Sequence, residues 1–254
     1  MRQNKIKALW REGKPACLGW CNTADTYIGE IMAHAGFDGV CLDMQHGMGI
    51  GPDRAALWFQ AVSSADIVPM VRVPWNEPFF IQYVLDAGAQ GVIVPLINNV
   101  EDARKAVGAC RYPPLGYRSN GPNRTALYSG SNYFAEANDE IICLLLIEHI
   151  DAVNNLDAIA EVPGHDGFYI GPTDLAISMG LGPSGVGSPA WEEAAQRVID
   201  VANAHGLIAG ASPHGLPDIP RRLQQGFKIM QLGMVAAFVQ NSAKTAISAF
   251  RAAS

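Results

Sequence analysis

The sequence predicts one (β/α)₈ TIM barrel spanning residues 1–254 as a single α/β domain, and three observations carry that expectation. Eight short, β-rich apolar runs punctuate the chain, amphipathic segments of helical period separate them, and the total length matches the roughly 250 residues that such barrels need. The runs are almost continuously apolar rather than alternating, which is how strands buried on both faces read. A doubly wound sheet is the rival, weakened because no glycine-rich dinucleotide fingerprint follows the first strand.

In order, the first strand is expected over 17–22 (CLGWCN). A helix over 25–36 follows, where Ile28, Ile31, Met32 and Ala35 recur at helical spacing and Gly36 suits its end. Strand 39–44 (GVCLDM) precedes helix 52–63, and strand 67–73 (IVPMVRV) precedes helix 77–87, whose GAQG ending reads as a helix-to-strand turn. Strand 91–96 (GVIVPL) and helix 100–110 come next. Residues 111–140 fit less well, being turn-rich with no convincing strand. The expectation is a large βα loop covering the barrel mouth and containing short helical pieces. Strand 141–148 (IICLLLIE), helix 150–161, strand 167–171 (GFYIG) and helix 189–205 resume the pattern. Strand 207–212, helix 216–225, strand 228–233 and helix 235–252 complete it.

Composition narrows the class. Hydrophobic residues make up 49% and charged residues 17%, which excludes disorder. The net charge of −6, with acids and bases interspersed, repels phosphate backbones, so nucleic acid is not an expected partner. Five cysteines without framework spacing point to free thiols in a reducing compartment. The charged N-terminus has no signal-peptide core and no run is long enough to span a membrane, so the expected location is the cytoplasm.

Chemistry in a barrel sits where strands run out into βα loops. The polar residues there are few: His46 after the second strand, Arg72 at the end of the third, Glu148 at the end of the fifth and Asp174 after the sixth. Two carboxylates on successive strands repel, share a proton or hold a hard cation; alternatively Glu148 only caps the next helix and Asp174 only caps a loop. Arg72 needs a partner to be buried, and its fork matches a carboxylate or an enolate. His46 suits proton relay, with Asp43 three residues before it as a group that could orient the imidazole. Asp86 ends a helix, where an acid is unfavourable without a compensating partner such as His46 or an arginine. Arg118 and Arg124 are candidates for clamping an anionic substrate or are solvated surface charges. His214 faces the expected end without a partner, and Lys228 opens the eighth strand at the opposite end, leaving no lysine for a Schiff base.

The segments LGW (18–20), DMQHG (43–47), VRVPWN (71–76), LDAGAQGVIVP (85–95) and RYPPLGYRS (111–119) resemble the HpcH/HpaI aldolase family. So do Glu148, NLD (155–157) and DGFYIGPTDLAISMG (166–180). The resemblance implies a metal-dependent class II aldolase that cleaves a 4-hydroxy-2-oxo acid to an aldehyde and pyruvate, or a close analogue. It implies Glu148 and Asp174 as ligands of Mg²⁺, Mn²⁺ or Co²⁺, and Arg72 on the enolate oxygen. His46 would relay a proton, paired with Asp86 of a neighbouring subunit. Backbone groups around Pro172, Thr173 and Asp174 would hold the substrate carboxylate, and Trp20 would line the aldehyde side. A last helix exchanged between subunits, a trimer or hexamer, and a place in the breakdown of aromatic compounds or sugar acids are implied as well. The sequence departs from the family at Leu146, where Gln is common, and at Gln45, where an acid is common, which opens the donor to hydroxypyruvate. A CoA-ester lyase of the citrate lyase β type would favour a basic surface and a longer chain. A lapsed, non-catalytic barrel would have lost Glu148, Asp174 or Arg72.

Overall fold

A computed structural model describes residues 2–130 and 132–253. Eight parallel strands close into a barrel in chain order: β1 (Ala16–Cys21), β2 (Gly39–Asp43), β3 (Val68–Arg72), β4 (Gly91–Val94), β5 (Ile142–Ile147), β6 (Gly167–Ile170), β7 (Ile208–Ala211) and β8 (Ile229–Met234). The helices are α1 (Lys5–Arg11), α2 (Thr26–Ala33), α3 (Pro52–Val62), α4 (Pro78–Ala87), α5 (Val100–Cys110), α6 (Ala126–Ser129), α7 (Tyr133–Glu140), α8 (Ile150–Asn154), α9 (Leu156–Ala160), α10 (Pro172–Ser178), α11 (Pro189–Ala204), α12 (Ile219–Gln225) and α13 (Val235–Ala253).

The continuous apolarity of the strands has a direct structural cause. In β5, Ile142, Leu144 and Leu146 point into the barrel with Trp20, Met70 and Tyr169. Cys143, Leu145 and Ile147 point outward into the larger core beneath the helices. Both faces are buried, so alternation of apolar with polar would place a polar group in one core or the other. The N-terminal end of the barrel is plugged by α1, whose Ile6 is wholly buried. Asn4 caps that helix through Oδ1 and donates from Nδ2 to the carbonyls of Gln90 at 3.0 Å and Glu140 at 2.9 Å. All five cysteines are free. Among the described residues no helix is long and apolar enough to cross a membrane.

Three elements differ from expectation. Residues 111–141 do contain short helices, α6 and α7, but the segment joins α5 to β5. It is therefore an αβ connection at the N-terminal end of the barrel and does not cover the mouth. The helix over 150–161 is two pieces, broken at Asn155, which caps the second piece while its Nδ2 binds the carbonyl of Asn98 at 2.9 Å. The GPTDL segment is not loop: α10 begins at Pro172, whose fixed φ and missing N–H suit a first helical position. The last helix, α13, buries only Val235 and leaves Val239, Ile247 and Phe250 exposed.

Candidate active site

The strand order brings the expected strand-end residues to one end of the barrel. Glu148 follows β5 directly and is 5% exposed, while Asp174 lies in the first turn of α10, after β6, and is exposed. An acid in that turn is favoured by the helix dipole. Both carboxylates line a cavity of about 380 Å³ with Gln45, His46, Leu96 and Asn98. Burial raises the Glu148 carboxyl above its ordinary range, and the charge of Asp174 raises it further. The Leu96 amide and the Arg72 charge oppose this without cancelling it.

Asp43 and Arg72 are register partners across β2 and β3. Arg72 donates from Nε to Asp43 Oδ1 at 2.9 Å and from Nη2 to Oδ2 at 2.6 Å, the two-pronged geometry that a guanidinium and a carboxylate favour. Trp20 Nε1 donates to Asp43 Oδ2 at 3.1 Å, and the guanidinium carbon lies 5.2 Å from the Trp20 ring centroid. Burial alone would raise the Asp43 carboxyl; the Arg72 pair outweighs it and holds the group below its usual range. Asp43 also accepts from the backbone N–H groups of Gln45 and His46, at 3.2 Å each. Asp43 therefore fixes the loop that carries His46 and does not bind the imidazole, which stands exposed at the cavity rim.

Among the other expected residues, Pro172 and Thr173 open the helix that carries Asp174, and the rest sit away from the cavity. Trp20 is buried among Cys41, Met70 and Tyr169, so it props Arg72 from within the barrel and is not among the residues lining the cavity. Pro172 accepts a hydrogen bond from Trp191 Nε1 at 3.0 Å through its carbonyl, and Thr173 is exposed at the start of α10. Asp86 ends α4 at the N-terminal end of the barrel, opposite His46 of the same chain. Its partner there is Arg118, whose Nη2 donates to Asp86 Oδ1 at 2.6 Å and to the Tyr133 hydroxyl at 3.0 Å. Arg124 binds the Ala87 carbonyl at 2.6 Å and Ser63 Oγ at 3.0 Å. Both arginines lie with Asp86, so within one chain neither clamps a ligand at the Glu148 cavity. His214 offers its backbone N–H to Asp218 and Lys228 Nζ binds the Gly13 carbonyl, leaving the mouth without a lysine from β8.

Sequence reasoning passed over Leu96 and Asn98, which line the cavity from the end of β4. A strand-end survey that included neutral side chains finds Asn98; nothing in the sequence marks Leu96, whose contribution is a backbone N–H donated to Glu148 Oε1 at 2.8 Å. Gln45 Oε1 and Asn98 Oδ1 are buried without a hydrogen-bond partner. With the two carboxylates they make an all-oxygen donor set that fits a hard divalent ion, which needs few protein ligands and completes its shell with water and substrate. Among the described residues no group of three or more His, Cys, Asp or Glu is placed to hold a metal ion, so an ion here would rest on the two carboxylates and neutral oxygens.

Comparison with known proteins agrees with the barrel fold. The family described as HpcH/HpaI aldolase/citrate lyase matches residues 17–242. The chain is 40% identical over 180 residues to a hydroxypyruvate/pyruvate aldolase of Rhizorhabdus wittichii, covering 71% of each. It is 33% identical to a 4-hydroxy-2-oxo-heptane-1,7-dioate aldolase of Salmonella paratyphi C, covering 98% of this chain and 95% of the relative. The crystal structure of a member of the same family from Burkholderia cenocepacia superposes with a TM-score of 0.91 at 27% identity, covering 98% of this chain and 100% of the other.

Proposed function

The chain belongs to the HpcH/HpaI aldolase/citrate lyase family and is a carbon–carbon lyase, and from that premise we propose a divalent-metal-dependent aldolase. It reversibly cleaves a 4-hydroxy-2-oxo acid to an aldehyde and pyruvate, or a close 2-oxo acid such as hydroxypyruvate. The observation that carries this reading is the pair Glu148 and Asp174 in one cavity with unpartnered amide oxygens, next to an arginine held rigidly by Asp43.

Glu148 and Asp174 would hold Mg²⁺, Mn²⁺ or Co²⁺. When bound, such an ion polarises the keto group and stabilises the negative charge that C–C cleavage leaves on oxygen. Arg72 contributes a second, fixed positive charge. Its Nε and one N–H of Nη2 are committed to Asp43, and the remaining N–H groups of Nη1 and Nη2 are the donors for the developing enolate oxygen. Because Asp43 stays ionised, the guanidinium keeps its orientation and the site needs little reorganisation during the reaction. The first-turn amides of α10 at Thr173 and Asp174, following Pro172, receive the substrate carboxylate. His46 at the rim moves the proton on the hydroxyl that becomes the aldehyde oxygen. Its acidic partner is Asp86 of a neighbouring subunit, since the same chain's Asp86 is at the far end of the barrel.

That arrangement needs at least a second copy of the chain, and the assembly we propose is a trimer or hexamer. The exposed apolar residues of α13 support a last helix that packs on another subunit. The same reading places the enzyme in the cytoplasm, in the breakdown of aromatic compounds or sugar acids. The test is pyruvate release from a 4-hydroxy-2-oxo acid in EDTA and after addition of Mn²⁺ or Co²⁺, across a panel of 2-oxo acids and aldehydes. Activity should vanish in chelator and return with metal; undiminished activity in chelator would overturn the assignment.

A further inference from the structure

Leu96 is the single non-glycine residue with positive φ among those described, at 60°. A leucine reaches this left-handed region at a steric cost, so a structure that keeps it must hold it there. Here the flanking chain does so. Pro95 and Ile97 are buried on either side. The Asn98 N–H is bound by Asp102 at 3.0 Å, its carbonyl takes Asn155 Nδ2 at 2.9 Å, and Asn99 caps α5.

The product of this turn is one hydrogen bond. The β4–β5 pairing ends at Val94 and Leu145, and two residues later the Leu96 N–H is turned onto Glu148 Oε1 at 2.8 Å. On the opposite flank lies Gly171, where a Cβ would come within 2.8 Å of Glu148 Cβ and 3.1 Å of Oε2. The Glu148 carboxylate is thus pinned by a backbone donor on Oε1 and given room at Oε2 by a missing side chain. Oε2 has no hydrogen-bond partner among the described residues.

We propose that Leu96 is a positioning residue for Glu148, and that its left-handed backbone, not its side chain, sets the rotamer that leaves Oε2 free for a divalent ion. This rests on the metal reading above. The strain is retained because the conformation without it would turn the amide away, leaving Glu148 free to swing or to present both oxygens.

The test measures Mn²⁺ affinity of the metal-stripped protein by titration calorimetry, with thermal melts as a check on folding. Leu96→Gly and Leu96→Asn both accept positive φ, so each should bind Mn²⁺ within about 2-fold of wild type. Leu96→Val is driven out of the left-handed region and should weaken binding about 10-fold or more, the usual effect of losing a group that orients a ligand. Replacing Leu96 by its α-hydroxy acid turns the amide between residues 95 and 96 into an ester, which removes the N–H donor, and should weaken binding to the same extent. If Leu96→Gly weakens binding as much as Leu96→Val, or the α-hydroxy acid leaves it unchanged, the inference is wrong while the metal reading stands. A wild-type protein that binds no divalent ion would overturn both.

Discussion

The two ends of this barrel treat buried charge in opposite ways. At the N-terminal end, the Asp166 carboxylate meets Arg111 at 2.9 Å and Lys7 at 2.7 Å. Arg111 spends its remaining donors on the carbonyls of Gly164 at 2.7 Å and Ile141 at 2.8 Å. At the mouth, Glu148 is buried as well, yet the largest charged influence on it is another carboxylate, Asp174, and one backbone amide is its hydrogen-bond partner. The first arrangement is electrostatically closed and serves the fold. The second is open and costs stability until something positive enters it, which is how a binding site differs from a structural network built of the same residue types.

Glu148→Gln tests the contrast most severely. Turnover should fall on the order of 10⁴-fold, equivalent to roughly 5.5 kcal/mol of barrier. The metal-free protein should melt no lower than wild type, because the charge that burial penalises has been removed. Steady-state rates and calorimetric melts together decide it, and a lower melting point with retained activity would show Glu148 to be structural. Arg111→Met should do the reverse. Removing one partner from a closed, buried network costs about 3–5 kcal/mol of stability. Activity per folded molecule should not change, which denaturant titration and active-site-normalised rates would establish.

The Asp43–Arg72 pair lies between these extremes, being closed like the far end and placed beside the open carboxylates. Arg72→Lys keeps the charge but loses the two-pronged contact and the support of Trp20. Turnover should drop about 10²-fold, roughly 2.7 kcal/mol, with Mn²⁺ affinity little altered. A melting-point loss as large as that of Arg111→Met, with an unchanged rate, would move the pair to the structural side.

Most of this frame was legible from the amino acids alone. Eight apolar runs with two buried faces predict eight strands, and the strand-end rule brings His46, Glu148 and Asp174 to one cavity because side chains there are fixed by topology. What was not legible has physical reasons. Residues 111–140 were expected at the mouth, but a segment that follows a helix and precedes a strand emerges at the other end. Asp43 was expected on an imidazole, but cross-strand register gives it to Arg72, a contact between residues 29 apart in the chain. Leu96 acts through its backbone, and a leucine carries no letter-level sign of positive φ.

The smallest expected effect sharpens the comparison from the closed end. His165 is buried there, with its ring centroid 5.4 Å from that of Phe168. Burial lowers its pKa below the ordinary 6.5, Arg111 adds to that, and Asp166 with the backbone of Gly167 and Ile159 opposes it. The folded protein therefore prefers the neutral ring, while the unfolded chain binds a proton at the ordinary value. Between the two values the unfolded state holds more protons, so stability rises with pH. The contribution is complete above the unfolded pKa of about 6.5 and is lost as pH falls toward the lower, folded one. Urea midpoints at pH 7.5 and 5.5 should separate more for wild type than for His165→Phe, whose ring cannot be protonated. Equal pH sensitivity in the two proteins would mean that His165 takes up its proton without cost, and that the closed end tolerates a further positive charge.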